Sequence, residues 1–412
     1  MGGVGGEYDR QIRQSSPLVH AVNTITVVLQ GTSSAHLSGS TNTVLTLSNL
    51  QNLDPPYDGN STSQGWVLPL HEVIGGNGGH SMFCVRQVNG SALVLDNRRL
   101  QLSLCLDAVM QPLAIYSFSF KIRNPDEEQE AGAVYVAATG SSPSAHIGAT
   151  LLSNSLAPAQ GMLAGALPFR VRVARITSRT LGQSTPVVGK VNELTMTLAT
   201  NVQLEQNAGW TIRIAGLTGT ANVSGPLILN PLPPGGSVTG LFCQGGVPDR
   251  GMWSESDGSG MLVLQLCLNK VLAADYDHVF SFKVLNGQTP QQAPNISVSV
   301  TGHASIAMAP LPIVSVNAAG GLTGDAAPIR GIPRGSAPLF LIKPRFELAD
   351  VSQSNPVTSA PNILTVSLQS NIDVLPADGV VITISNLVGA SGASPMDLAR
   401  YSGGNGAELL FC

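Results

Sequence analysis

The sequence predicts an all-β fold of tandem antiparallel sandwich modules, and three observations predict it. Apolar residues alternate with polar ones over many short stretches, the period of a half-buried strand and not of a helix. Blocks of sequence recur at a spacing of about 160–170 residues, the signature of a repeated structural unit. Clusters of Gly, Asn and Pro separate the alternating stretches, as turns separate strands in a sandwich.

The repeat is legible in three places. Gln14-Ser15-Ser16-Pro17 leads to Asn23-Thr24-Ile25-Thr26-Val27-Val28-Leu29. Gln183-Ser184-Thr185-Pro186 leads at the same distance to Asn192-Glu193-Leu194-Thr195-Met196-Thr197-Leu198, and Gln353-Ser354-Asn355-Pro356 to Asn362-Ile363-Leu364-Thr365-Val366-Ser367-Leu368. A second block, Phe118-Ser119-Phe120-Lys121 with Asn124, recurs as Phe280-Ser281-Phe282-Lys283 with Asn286. The expected organisation is a first module over 1–140, a linker over 141–167 and a second module over 168–302. A linker over 303–337 and the N-terminal part of a third module over 338–412 follow. The first strand of the first module is expected to be missing, because Met1 aligns with Arg170 of the Pro168–Arg175 opening segment. The third module is expected to be truncated at Cys412.

Within each module the strands follow in order. Ser117-Phe118-Ser119-Phe120-Lys121-Ile122, Thr211-Ile212-Arg213-Ile214 and Ile296-Ser297-Val298-Ser299-Val300 alternate with period two. So do Leu100 to Leu106 and Leu262 to Leu268. Gly75-Gly76-Asn77-Gly78-Gly79 and Pro233-Pro234-Gly235-Gly236 are turn clusters, and 51–80 and 244–260 read as long loops. The stretches 140–167 and 303–337, rich in Ala, Gly, Ser and Pro, read as linkers. A competing reading lays parts of them, such as Ile313-Val314-Ser315-Val316, as extra strands on a neighbouring module.

Five cysteines follow the repeat: Phe83-Cys84, Phe242-Cys243 and Phe411-Cys412 form one set, Leu104-Cys105 and Leu266-Cys267 the other. Cys105 and Cys267 fall out of phase with the leucines around them, where a buried structural thiol would be in phase. The expectation is two intra-module disulfides, Cys84–Cys105 and Cys243–Cys267, with Cys412 paired to a cysteine outside this sequence; free thiols are the competing reading. Disulfides imply an oxidising compartment. Asn60-Ser61-Thr62, Asn89-Gly90-Ser91, Asn222-Val223-Ser224 and Asn295-Ile296-Ser297 match the N-glycosylation pattern. Asn295, at the head of a strand, is the weakest of the four.

Charged residues make up 11% of the chain, with a net charge of −4, against about 25% in an average soluble domain. No basic stripe exists for nucleic acid, and no run of 18 apolar residues exists for a membrane span. The N-terminal residues lack the apolar core of a signal peptide. No HExxH, CxxC, P-loop or nucleophile-elbow motif is present, so the chain reads as no enzyme, with no cofactor and no metal. The one acidic cluster, Asp126-Glu127-Glu128-Gln129-Glu130, has an acid-free counterpart in the second module, which argues against calcium.

The Asn-x-hydrophobic-Thr-x-Thr-Leu strand, the Gly-x-x-Ile-x-Ile-x-x-Leu strand (Gly209 to Leu217) and the Phe-Ser-Phe-Lys strand followed by Asn together resemble the tandem Ig-like β-sandwich repeats of large secreted algal and protist glycoproteins. Among these are cell-surface, fibril and flagellar-hair (mastigoneme-like) components. The resemblance implies an extracellular structural role, glycosylation and end-to-end assembly, and it supplies no catalytic residue. The expected function is a building block of a fibre, filament or coat, partnered by copies of itself and carrying covalent N-glycans. The alternative is a cell-surface adhesin that binds glycan or protein through its loops.

Overall fold

A computed structural model describes residues 10–399, apart from 31–36, 52, 54–59, 63–64, 75–76, 206–208, 234–237, 303–307, 316–325, 393, 395 and 397. The chain is all-β. Each of the first two modules is two sheets packed face to face, and the third is represented by a two-stranded ribbon.

In the first module one sheet runs, edge to edge, Ser153–Asn154, Arg10–Gln14, Val22–Gln30, Ile115–Arg123 and His71–Glu72. The facing sheet runs Ile147–Leu151, Tyr135–Thr139, Val44–Ser48, Arg99–Ser103, Ser91–Asp96, Gly65–Pro69 and Asn60–Thr62. The second module repeats this order: Val314–Ser315, Ile176–Gln183, Val191–Thr200 and His278–Leu285 in one sheet. Arg250–Ser256, Ser259–Gln265, Thr211–Thr218, Ser297–Thr301 and Met308–Pro312 form the other. Here Gly225–Pro231 joins the two, pairing through Gly225–Ile228 with Arg250–Trp253 and through Leu229–Pro231 with Phe280–Phe282. All these pairings are antiparallel except one per module, at the edge that begins it. Arg10–Gln14 lies parallel to Ser153–Asn154, and Ile176–Gln183 parallel to Val314–Ser315.

The alternation explains the cores. In Val22–Gln30 the residues Asn23, Ile25, Val27 and Leu29 face inward, and in Val191–Thr200 so do Asn192, Leu194, Met196 and Leu198. They meet Phe118 and Phe120, or Phe280 and Phe282, from the neighbouring strand. Phe83 stacks edge-on against Phe118 at 5.3 Å between ring centroids, and Phe242 against Phe280 at 5.5 Å. Fully burying one such ring contributes about 1.5–3 kcal/mol, so each module has a core able to hold itself. Gly260 and Gly302 let indole rings lie close against the backbone: a Cβ at Gly260 would stand 2.3 Å from Trp253, and one at Gly302 2.5 Å from Trp210.

Four expectations are corrected. The stretches placed in linkers supply Ile147–Leu151, Ser153–Asn154, Met308–Pro312 and Val314–Ser315 to the sheets, and each strand lies on the module that precedes it. Low charge and short alternations disguised them. The first strand of the first module is present as Arg10–Gln14, the counterpart of Ile176–Gln183; Pro168–Arg172 is no strand of the second module's sheets. The stretches 51–80 and 244–260 are no long loops, since Gly65–Pro69 is an inner strand of the first module and Arg250–Ser256 one of the second that buries Trp253. Finally, the leucine alternation stops early: the strands end at Ser103 and Gln265, and Leu106 and Leu268 point to solvent.

Candidate functional site: the closing clasp and the module junction

The residues that repeat most faithfully in the sequence meet in space. Gln14 is buried at the end of the first strand. Its Nε2 donates to the carbonyls of Gly165 (3.0 Å) and Arg170 (2.7 Å). Its Oε1 accepts from the backbone N–H of Phe169 (2.8 Å) and from Asn23 Nδ2 (2.9 Å). Asn23 Oδ1 accepts from the N–H groups of Ser15 and Ser16, both at 3.1 Å, and its Nδ2 also donates to Asn124 Oδ1 at 2.9 Å. Asn124 Nδ2 donates to the carbonyls of Ser16 (2.9 Å) and Leu18 (2.7 Å). Every amide hydrogen of the three side chains is used, the condition under which a buried polar network stabilises.

The second module repeats the clasp bond for bond. Gln183 Nε2 donates to Gly335 (2.8 Å) and Phe340 (3.1 Å), and its Oε1 accepts from Leu339 N–H and Asn192 Nδ2, both at 2.9 Å. Asn192 holds Ser184 and Thr185 N–H and donates to Asn286 Oδ1 at 3.0 Å, and Asn286 donates to Thr185 and Val187. In the third module Asn362 makes the first half of the same set, to Ser354 N–H, Asn355 N–H and Gln353 Oε1.

What the clasp holds is the segment between modules. Phe169 is fully buried in the first module's core, and Leu339 in the second's. Both lie in the left-handed region, at φ 63° and 56°, a conformation that costs a bulky residue roughly 1–2 kcal/mol; burial and the hydrogen bond to the Gln carbonyl oxygen offset it. The segment then lies between two stretches of chain and bridges both. Arg172 bridges Leu18 in parallel and Val171 bridges Gln129 antiparallel, as Ile342 bridges Val187 and Leu341 bridges Gln291. Gln129 Nε2 donates to the Phe169 carbonyl (2.6 Å), and Gln291 Nε2 to that of Leu339 (2.9 Å). Gly165 and Gly335 make the tight turn possible, since a Cβ would meet the backbone of Ala159 at 2.6 Å or of Ile329 at 2.7 Å.

The same segment covers the next module. Leu18 and Met162 belong to the second module's core cluster. Gln203 N–H donates to the Gln160 carbonyl, and at the second junction Asp373 N–H donates to that of Arg330, both at 2.9 Å. Asn201 Nδ2 donates to the Val173 carbonyl, as Asn371 Nδ2 does to Lys343. Ion pairs flank these contacts: Glu130 with Arg172 (2.5 Å), Glu128 with Arg175 (3.0 Å) and Arg330 with Asp378 (2.7 Å). The Val173 N–H, then Arg175 and Arg172, hold the Glu128 carboxyl below its ordinary range, and Arg330 does the same for Asp378. The acidic cluster at 126–130 is thus a junction element, its bases supplied by Arg172 and Arg175. Among the described residues no group of three His, Cys, Asp or Glu is placed to hold a metal. Two open clefts flank the clasps, of about 370 Å³ beside Gln14, Ser15 and Thr24 and about 740 Å³ beside Gln291, Phe340 and Lys343.

Cys84 and Cys105 form a disulfide with Cα atoms 5.1 Å apart, and Cys243 and Cys267 one at 4.9 Å. Each ties a short hairpin (Cys84–Val85 with Val88–Asn89, Cys243–Gln244 with Val247–Pro248) to the end of a sheet strand. The adjacent Phe83 and Phe242 point into the core. Cys412 lies outside the described residues. Asn60, Asn89 and Asn295 are exposed, whereas Asn222 is half-buried and its Oδ1 accepts from Leu285 N–H at 2.7 Å. Asn295 is therefore better exposed than Asn222, the reverse of the sequence-based ranking.

In the sequence Gln14, Asn23 and Asn124 and their repeats stand out as markers of periodicity with no evident task. The signal was present: a polar residue at an inward-facing strand position, repeated in every copy, needs a buried partner.

The chain therefore belongs to the class of all-β proteins made of tandem sandwich modules. No family model matches it, and no curated protein is significantly similar to it in sequence. Among solved structures, the C-terminal domain of the AgI/II polypeptide BspA of Streptococcus agalactiae superposes with a TM-score of 0.36 at 8% identity, over 74% of this chain and 99% of that one. The serine-rich repeat adhesion glycoprotein Srr1 of the same organism gives 0.16 at 10% identity, over 74% and 96%. Likenesses at that level carry neither topology nor role to this chain.

Proposed function

We propose that the chain is a building block of an extracellular fibre, filament or surface coat, assembled from stiff tandem modules and carrying N-glycans. The observation that carries this reading is the junction. One segment lies in the core of one module and on the surface of the next, with the same backbone hydrogen bonds at both boundaries. Such sharing leaves little room for a hinge, and a spacer or fibre wall needs a fixed relation between neighbours. Disulfides and a weakly charged, Ser- and Thr-rich surface agree with an oxidising, extracellular setting. Edge strands and junction clefts would supply lateral and end-to-end contacts between copies.

The test is electron microscopy and sedimentation of natively sourced protein over a range of concentrations, with a glycan array in parallel. Ordered self-association without a selective ligand supports the proposal. A selective glycan or protein ligand, with particles that stay monomeric, would favour the adhesin reading instead.

A further inference from the structure

We propose that each module is a load-bearing unit, clamped in shear, so that the array carries tension along its own chain. This deepens the fibre reading but rests on geometry within one molecule. The chain enters a module on one strand and leaves on a segment that runs parallel beside it. In the first module Gln11 and Ile12 pair in parallel with Ser153 and Asn154, and Leu18 with Arg172 further along. In the second, Thr180 and Leu181 pair with Val314 and Ser315, and Val187 with Ile342. Because the two are parallel, a pull on the two chain ends arrives at opposite ends of the pair. It slides one strand along the other, so the bonds between them are loaded together and must yield together. Antiparallel neighbours pulled from the same end would instead unzip, breaking their bonds in succession.

The seam is held by backbone and side-chain bonds together in both modules. In the first module Ser155 N–H donates to Ile12, Gln14 N–H to Ala166, Arg172 N–H to Pro17 and Val19 N–H to Arg172. The Gln14 side chain adds three more, to Gly165, Phe169 and Arg170. The second module has Ile342 N–H to Pro186, Val188 N–H to Ile342 and the three bonds of Gln183. The buried Phe169 and Leu339 anchor the sliding segment in the core. The glutamine thus acts as a pin across the seam, which explains why an amide occupies an inward position at the end of the first strand.

Single-molecule force spectroscopy on the full chain tests this. The chain is pulled first between its N- and C-termini, then between a tether at position 20 (His20→Cys, an exposed site) and the C-terminus. The second geometry grips the first strand at the end next to Arg172 and peels the same seam in an unaltered fold. The first-module event is recognised because its release is shorter by the ten residues from Arg10, where the described module begins, to His20, roughly 3.5 nm. It is expected at a clearly lower force, while the second module, loaded in shear both times, keeps its force. In the end-to-end geometry, Gln183→Leu should lower the second module's force alone. Equal first-module forces in the two geometries would overturn the proposal, as would an unchanged force in a folded Gln183→Leu chain.

Discussion

At the scale of single residues, the clasp depends on side chains whose type has no substitute. Asn192 accepts from two backbone N–H groups and donates to two side-chain carbonyls in a fully buried position. Asn192→Ala strands the Ser184 and Thr185 N–H groups and Asn286 Oδ1, takes one of two donors from Gln183 Oε1, and should cost roughly 3 kcal/mol or more of second-module stability. Asn192→Asp keeps the acceptor and loses both donors, so it should be no milder than Ala. Denaturant midpoints followed by Trp210 and Trp253 fluorescence, both in that module, check both; a tolerated Asp would contradict the donor roles. His278 gives a pH prediction. Burial pushes its pKa below the ordinary 6.5, against the opposing pull of the Ala273 carbonyl and of Asp277. The unfolded chain therefore binds a proton that the folded module refuses, and stability present above pH 6.5 is lost as pH falls below it. Tyr116 stands at the equivalent place in the first module, its hydroxyl accepting from Gln111 N–H. His278→Tyr should remove that acid sensitivity from the second module, as read by melting temperature between pH 7.5 and 5.

At the scale of elements, the closing segment is the unexpected piece. Phe169 reads in sequence as the start of the second module, yet its ring lies in the first module's core. Phe169→Ala should therefore cost about 3–5 kcal/mol in the first module, reported by Trp66, and leave the Trp210 and Trp253 transition nearly unmoved. The opposite partition would return the segment to the second module. The difference between what was legible and what was not has a physical basis. Val22–Gln30, Ile115–Arg123 and Val191–Thr200 were visible because a strand with one face on a core must alternate. The disulfide pairs were anticipated because the cysteines kept the period of the repeat. Within 147–172, 308–315 and 326–342 only the stretch around Val314 and Ser315 reads as a strand in sequence; the rest hold the chain by backbone bonds and left-handed turns, which leave no hydrophobic period. The clasp lay between these cases. Its residues stood out by recurrence, but their meeting joins positions about 100 and 150 residues apart, which no local pattern announces.

At the scale of the whole molecule, the modules are interlocked and not strung on a line. A segment given to the core of one module and the surface of its neighbour makes each boundary belong to two folding units. The junction carboxylates Glu128 and Asp378 are held charged by their arginine and backbone partners, so those pairings persist through the ordinary carboxylate range and break only as pH falls below it. The first module thus ends near residue 172, beyond the linker the sequence suggests. Two truncated chains test it: residues 1–167, which contain the whole expected first module and linker, and residues 1–175, which add Phe169 to Arg172. Equilibrium unfolding should show a cooperative first module in 1–175, and in 1–167 a loss of about 5 kcal/mol or no folded state. Equal stability of the two chains would contradict the closing segment and, with it, the interlocked array.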